Sequence, residues 1–174
     1  GDAATRIAED HLRILRFFRF FARYGHQADP AAVAACAVHR DGLSRIARER
    51  IGAELKKLLA APDPGPAVGL MAQTGVLAVL LPDATPDRLA ALLAAEPMPG
   101  GWLRRLAALC TVTPDLRLSR ADQRALNALQ RARGWSLDEA AFRMGADLAT
   151  DHALLVAADG HPLPADWQAR IARG

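Results

Sequence analysis

The stretch "EDHLRILRFFRFFARYG", residues 9–25, decides how this chain is read. Two acids stand first. Arg13, Arg16, Arg19 and Arg23 are then threaded through leucines, Ile14 and the phenylalanines at 17, 18, 20 and 21. At about 100° per residue, Asp10, Arg13, Ile14, Phe17, Phe21 and Tyr24 share one helical face. Leu15, Phe18 and Ala22 lie on a second face, and Leu12 and Arg19 on a third. Apolar groups on nearly every side predict a helix packed against more than one neighbour. Taken alone, Asp10 and Arg13 at i, i+3 read as an intrahelical ion pair worth about 0.2–0.5 kcal/mol.

The same period continues outward. It predicts helices near 3–24, 30–40, 44–61, 65–73, 75–81, 86–95, 101–111, 119–133, 136–145, 148–158 and 164–173. Turn signals separate them: Gly25, Pro30, "PDPGP" at 62–66, "PDATP" at 82–86, "PMPGG" at 97–101, Pro114, Gly134 and "DGHPLP" at 159–164. No strand-like alternation interrupts them, and no fixed-period repeat is found. The fold class is therefore all-α, built of short helices on short loops. The "PDPGP" stretch marks one boundary and the region of Thr113 and Pro114 a softer one, giving units 1–63, 64–113 and 114–174.

Composition agrees. Hydrophobic residues make up 51% of 174, enough for a sizeable core. Alanine and leucine dominate, which favours helix. The net charge is only +3, and Lys56 and Lys57 are the only lysines, so arginine carries nearly all the positive charge. Arginine suits phosphate through its planar fork. A GC-rich genome would give the same bias, so positions must carry any nucleic-acid argument. Cys36 and Cys110 lie far apart in apolar helical stretches and read as buried thiols. The absence of a signal peptide or a long apolar run predicts a chain outside the membrane and cytoplasmic. The five histidines are scattered, no glycine-rich phosphate loop or G-x-S-x-G occurs, and no paired carboxylates follow a strand. No metal site and no catalytic residue is expected in this chain.

One more positional signal lies at 119–134, "SRADQRALNALQRARG". Ser119 caps a helix on which Arg120, Arg124 and Arg131 fall within about 40° of one another, with Leu126 and Leu129 pointing elsewhere. Such a stripe fits contact with an RNA phosphate backbone, or simply a solvated face.

Three motifs then occur in order: Glu9-Asp10-x-x-Arg13, "ERIGAEL" at 49–55, and "GVLAVLLP" at 75–82. Together with the opening "GDAATRIAEDHLRILRFFRFFARYG", they resemble the bacterial class II tRNA nucleotidyltransferase and poly(A) polymerase family, most closely over residues 1–85. The resemblance implies a C-terminal region: a neck (1–63), a body (64–113) and a tail (114–174), without the N-terminal catalytic head. Magnesium would be held by paired aspartates in that head. The segment alone is then expected to catalyse nothing, and its partners would be tRNA or another RNA 3′ end, CTP, ATP and its own head.

The resemblance also assigns roles. Asp10 and Arg13 match the residues that read the incoming base. A carboxylate accepts from the amino group of cytosine or adenine, and a guanidinium donates to the neighbouring ring nitrogen. Uracil and guanine reverse both polarities and are refused. Glu9, Arg16, Glu49, Arg50 and Glu54 are candidates for holding that helix, with an ordinary i, i+4 surface pair as the plain alternative. The family grips the tRNA acceptor and T arms through body and tail, which suits Arg120, Arg124 and Arg131. Two departures stand out. The family often has a serine before "ERI" where Ala47 stands, so Ser44 is expected to cap one turn earlier. His11 occupies a position the family leaves open. A poly(A) polymerase using ATP alone would carry the same motif. A non-enzymatic helical RNA- or protein-binding module would place Asp10 and Arg13 in a mutual surface pair facing no cavity.

Overall fold

The computed structural model describes residues 2–97 and 99–174. Gly1, which opens the quoted stretch, and Met98, inside the 97–101 turn signal, lie outside the described residues. Twelve α-helices and one 3-10 turn account for the ordered backbone, and no strand occurs among the described residues. The all-α expectation holds.

The long first helix does not. Helix α1 covers Ala3–Glu9 and α2 covers Leu12–Tyr24. Between them Asp10 adopts an extended conformation (φ −148°, ψ 102°). Its Oδ1 accepts from the backbone N–H of Leu12 at 3.1 Å. An aspartate offers the backbone a short-range acceptor that competes with the helical ladder, and here that competition starts a new helix. The helix boundary thus falls on the motif itself.

Helix α3 (Pro30–His39) begins where Asp29 accepts from Ala31 and Ala32 N–H, with proline in the first turn. A 3-10 turn at Arg40–Arg45 follows. The expected cap by Ser44 is not formed, because Ser44 lies inside this turn and its hydroxyl donates to the Asp41 carbonyl at 2.7 Å. Helix α4 (Arg48–Leu59) starts four residues later than Ser44, after Ala47, with no side-chain cap. Helices α5 (Gly65–Gln73), α6 (Val76–Leu80), α7 (Pro86–Ala95) and α8 (Trp102–Leu109) follow. Ser119 caps α9 (Arg120–Arg131) through the Asp122 N–H, and Ser136 caps α10 (Leu137–Met144) through Glu139. Helices α11 (Ala146–Ala158) and α12 (Trp167–Arg173) complete the chain.

The principal core is continuous. It runs from Ile7, Ile14, Leu15 and Phe18 through Ile51, Leu58 and Met71 to Leu92, Leu106, Leu126 and Leu155. A smaller cluster of Leu137, Ala140, Ala141, Ala149, Ala153 and Ile171 joins the last three helices. Helix α4 crosses the segment before α9 so closely that a Cβ on Gly52 would stand 2.4 Å from the Leu116 carbonyl oxygen. Glycine is required there by the crossing and not by the helix, which would prefer alanine.

A buried charge cluster ties the layers together. Glu96, after α7, accepts from Arg104 at 2.8 Å and from Arg105 at 2.9 Å. Arg105 also donates to the Leu59 and Ala61 carbonyls at the end of α4, at 2.5 and 2.7 Å. Arg104 reaches Asp151 on α11 at 2.5 Å. Burial pushes the Asp151 carboxyl above its ordinary range despite that guanidinium. None of these four residues stood out in the sequence. No described helix is long and apolar enough to cross a membrane.

Candidate nucleotide and RNA site

The break between α1 and α2 sets the geometry. Asp10 and Arg13 do not form the mutual ion pair that their spacing suggests. The Asp10 carboxylate turns to Arg50 on α4, Oδ2 to Nη2 3.4 Å. Arg13 leans back toward Glu9 at 3.9 Å, a distance that gives only a loose attraction on a surface exposed to water. The two residues are joined through the backbone instead, where the Arg13 N–H donates to the Asp10 carbonyl at 3.0 Å.

Helix α4 answers α2 a second time through Glu54, which is buried. Its carboxylate stands 3.6 Å from Arg16 Nε and 3.0 Å from Arg19 Nε. The Arg19 contact is short, yet Arg19 Nε and Glu54 Oε2 make no hydrogen bond of good geometry, so the attraction there is Coulombic. Arg50 and Glu54 are thus brought against α2 and Arg16 joins them. Glu49 is exposed and makes no ion pair among the described residues. Helix α4 thus meets an acid before α2 with Arg50 and two cations on α2 with Glu54, while the buried side of α2 is Ile14, Leu15 and Phe18.

His11, which the sequence left without a role, is pinned as well. Its ring fills the space over Gly42, where a Cβ would stand 1.9 Å from Cδ2. It also meets the ring of His39 edge-on at 6.1 Å. The turn that carries Asp10 and Arg13 is therefore clamped between the 3-10 turn and α4. No sequence signal pairs Asp41-Gly42 with a residue thirty positions earlier.

A groove of about 580 Å³ lies between α1, α2 and α3. Arg6, Arg13, Arg16, Phe17, Phe20 and Cys36 are among its lining residues. Arg13 therefore reaches a cavity. The face assignments need one correction: Ile14, grouped with Arg13 by helical arithmetic, is fully buried. It lies about 100° from Arg13, toward the core. Burial pushes the Cys36 thiol up to about 11, so the thiolate is scarce at neutral pH and Cys36 is floor, not nucleophile. Among the described residues, no three His, Cys, Asp or Glu side chains gather as a metal site.

The tail residues lie apart from this groove. Arg120, Arg124 and Arg131 are exposed on α9 and make no ion pair among the described residues, while Leu126 and Leu129 on the same helix are buried.

Comparison with known proteins adds the following. A family profile described as "Probable RNA and SrmB- binding site of polymerase A" matches residues 27–88. The CC-adding tRNA nucleotidyltransferase of Shouchella clausii is 40% identical over 76 residues, covering 44% of this chain and 20% of that relative. The crystal structure of the Bacillus stearothermophilus CCA-adding enzyme in complex with CTP superposes with a TM-score of 0.66 at 24% identity, over 99% of this chain and 48% of that one. The Thermotoga maritima CCA-adding enzyme complexed with tRNA superposes at 0.65 and 18% identity, over 98% and 48%. The chain thus spans a fifth of that relative and about half of each structure, and its fold is theirs.

Proposed function

We propose that this chain, which is similar to the C-terminal part of CCA-adding enzymes, selects nucleotides and grips RNA for a tRNA nucleotidyltransferase. The observation that carries the reading is the pinned turn: Arg50 of α4 holds Asp10, the 3-10 turn packs on His11 beside it, and Arg13, at the start of α2, reaches the groove. Groups that discriminate bases need such support, since a loose reader accepts what it should refuse. In this reading Asp10 accepts from the amino group of cytosine or adenine, and Arg13 donates to the adjacent ring nitrogen. The Asp10 carboxylate already accepts from Leu12 N–H and from Arg50, which leaves lone pairs for a base and fixes their direction. Arg50 and Glu54 act by holding this geometry. The metal-dependent transfer belongs to a catalytic head of the kind the resemblance implies. Every step assigned to this chain is one of binding and orientation. Residues 1–63 then serve as neck, 64–113 as body and 114–174 as tail.

The test joins this chain to a catalytic head of the same family and measures kcat/KM for CTP and for UTP. Arg13→Ala removes the donor to the ring nitrogen and is expected to cost about 1–3 kcal/mol in transition-state binding of CTP, with a falling CTP-to-UTP ratio. An unchanged ratio with a lowered melting temperature would show that Arg13 only braces the helix. The description of the matched profile favours one further reading, a poly(A) polymerase, for which the same protein would extend RNA with ATP and not with CTP.

RNA contact through α9 is tested on this chain directly. Reversing the charge of Arg120, Arg124 and Arg131 together is expected to weaken tRNA binding and to flatten the slope of log K against log salt, because released counterions scale with neutralised phosphates. A slope equal to that of wild type would assign the stripe to solvent.

A further inference from the structure

Helix α2 presents to the open side a composition found on no other described helix. Projected at about 100° per residue, an arc of about 120° centred near Arg13 holds Arg23, Arg16, Phe20, Arg13, Tyr24 and Phe17, and no other residue. Three guanidiniums and three aromatic rings share this arc over the length of the helix, from Arg13 to Tyr24. Phe20 is 59% exposed and Tyr24 is 67% exposed. Their rings lie 5.6 Å apart at 48°. Arg19 stands over the Phe20 ring at 5.5 Å and Arg23 over the Tyr24 ring at 5.9 Å. Arg6 on α1 adds another cation to the groove that this face lines. Over residues 2–24, five arginines face three acids, so the surface is cationic as well as aromatic.

We infer that this face is a track for single-stranded RNA, on which successive bases stack against Phe17, Phe20 and Tyr24 while Arg6, Arg16 and Arg23 take the phosphates. The inference rests on the reading of RNA as the partner, but not on base selection by Asp10 and Arg13. Charge complementarity chooses the occupant. An apolar protein surface would desolvate the arginines of this arc, of which Arg13 and Arg16 have only loose carboxylate neighbours at 3.9 and 3.6 Å, and that is costly. A single strand supplies both a π face for each ring and an anion for each guanidinium. From Phe17 to Phe20 to Tyr24 the helix rises about 4.5 and then 6 Å, so the three rings meet different nucleotides along a strand laid on the axis. The face lies outside residues 27–88, the span of the RNA-binding profile.

The probe is a fluorescein-labelled single-stranded RNA hexamer of A and C, and the readout is anisotropy with the 174-residue chain at low and at physiological salt. The Phe20→Ala/Tyr24→Ala pair removes two exposed rings and keeps every charge. Affinity for the hexamer is expected to fall about tenfold or more, with an unchanged salt slope. The Phe20→Leu/Tyr24→Leu pair is expected to lose as much, because leucine is apolar but has no π face. Circular dichroism melts of both pairs should match wild type. Wild-type affinity in the alanine pair overturns the track, and so does wild-type affinity in the leucine pair. A third result would also overturn it: sedimentation showing that the alanine pair abolishes self-association while leaving the hexamer bound, which would make this face a protein contact. Because tRNA binding through α9 and the CTP-to-UTP ratio are measured separately, loss of the track leaves the proposed function standing.

Discussion

Arg105→Ala is expected to destabilise the fold by about 3–5 kcal/mol, the range for breaking a buried ion pair on one side. Few single changes in this chain should cost more. The Arg105 side chain is 1% exposed and that of Glu96 is 3% exposed. Truncation strips the Leu59 and Ala61 carbonyls of their donor and removes one of the two guanidiniums that share Glu96. Arg104 remains on Glu96, which keeps the carboxylate from being wholly orphaned, but the hydrogen bonds that tie the end of α4 to α8 are lost. For a protein of this size the loss corresponds to a fall in melting temperature of roughly 10 °C. Arg105→Lys should recover only part of it, since an ammonium lacks the fork that serves a carboxylate and two carbonyls together. The diagnostic is a double-mutant cycle. Glu96→Gln with Arg105→Met removes both charges, and its cost should fall clearly below the sum of the single changes. Additive costs would mean that Arg105 acts by filling space alone.

The second expectation contrasts two phenylalanines on one helix. Phe18→Ala should cost about 3–5 kcal/mol, the usual range for emptying a buried aromatic site. Phe18 is fully buried, with its ring edge-on to Phe17 at 5.2 Å. Phe20→Ala should change stability by no more than about 0.5 kcal/mol, because its ring is mostly in water already. Denaturant melts of the two variants measure the difference. Comparable losses would mean that Phe20 is covered in solution and that the outward face of α2 is not open.

Those two residues also show where sequence reading stops. Apolar and aromatic groups on every side of residues 9–25 predicted a helix with several neighbours, and that was sound. They could not say which aromatic ring meets the core, because four phenylalanines within five positions satisfy several rotations of the helix equally well. Packing against distant elements decides the rotation: Ile14, Leu15 and Phe18 are fully buried, and the charges follow, with Glu54 beside Arg16 and Arg19 and Arg50 beside Asp10. None of these partners is near in sequence. The same holds for Ile14, which arithmetic placed beside Arg13 and packing placed in the core.

Local chemistry was legible where a signal acts within a few residues. Ser119 was expected to begin a helix and does, and in the structure Asp29 and Ser136 act the same way, since a cap satisfies backbone N–H groups that are its immediate neighbours. The same reasoning failed at Ser44, where a 3-10 turn captured the hydroxyl first. It failed again at Asp10, where a run of good helix formers hid a capping residue at the break.

By itself, then, the sequence determined the helical class, most helix boundaries, the buried cysteines and the motif order on which the resemblance rests. Each of these follows from periodicity or from contacts a few residues long. Only the tertiary structure decided that the motif sits on a helix break, that Asp10 looks to Arg50 while Arg13 looks to a groove, and that Arg104, Arg105, Glu96 and Asp151 form one buried cluster. Those facts depend on residues tens of positions apart meeting in space. An exposed and a buried arginine carry the same letter, and the energy that separates them lies in packing and desolvation.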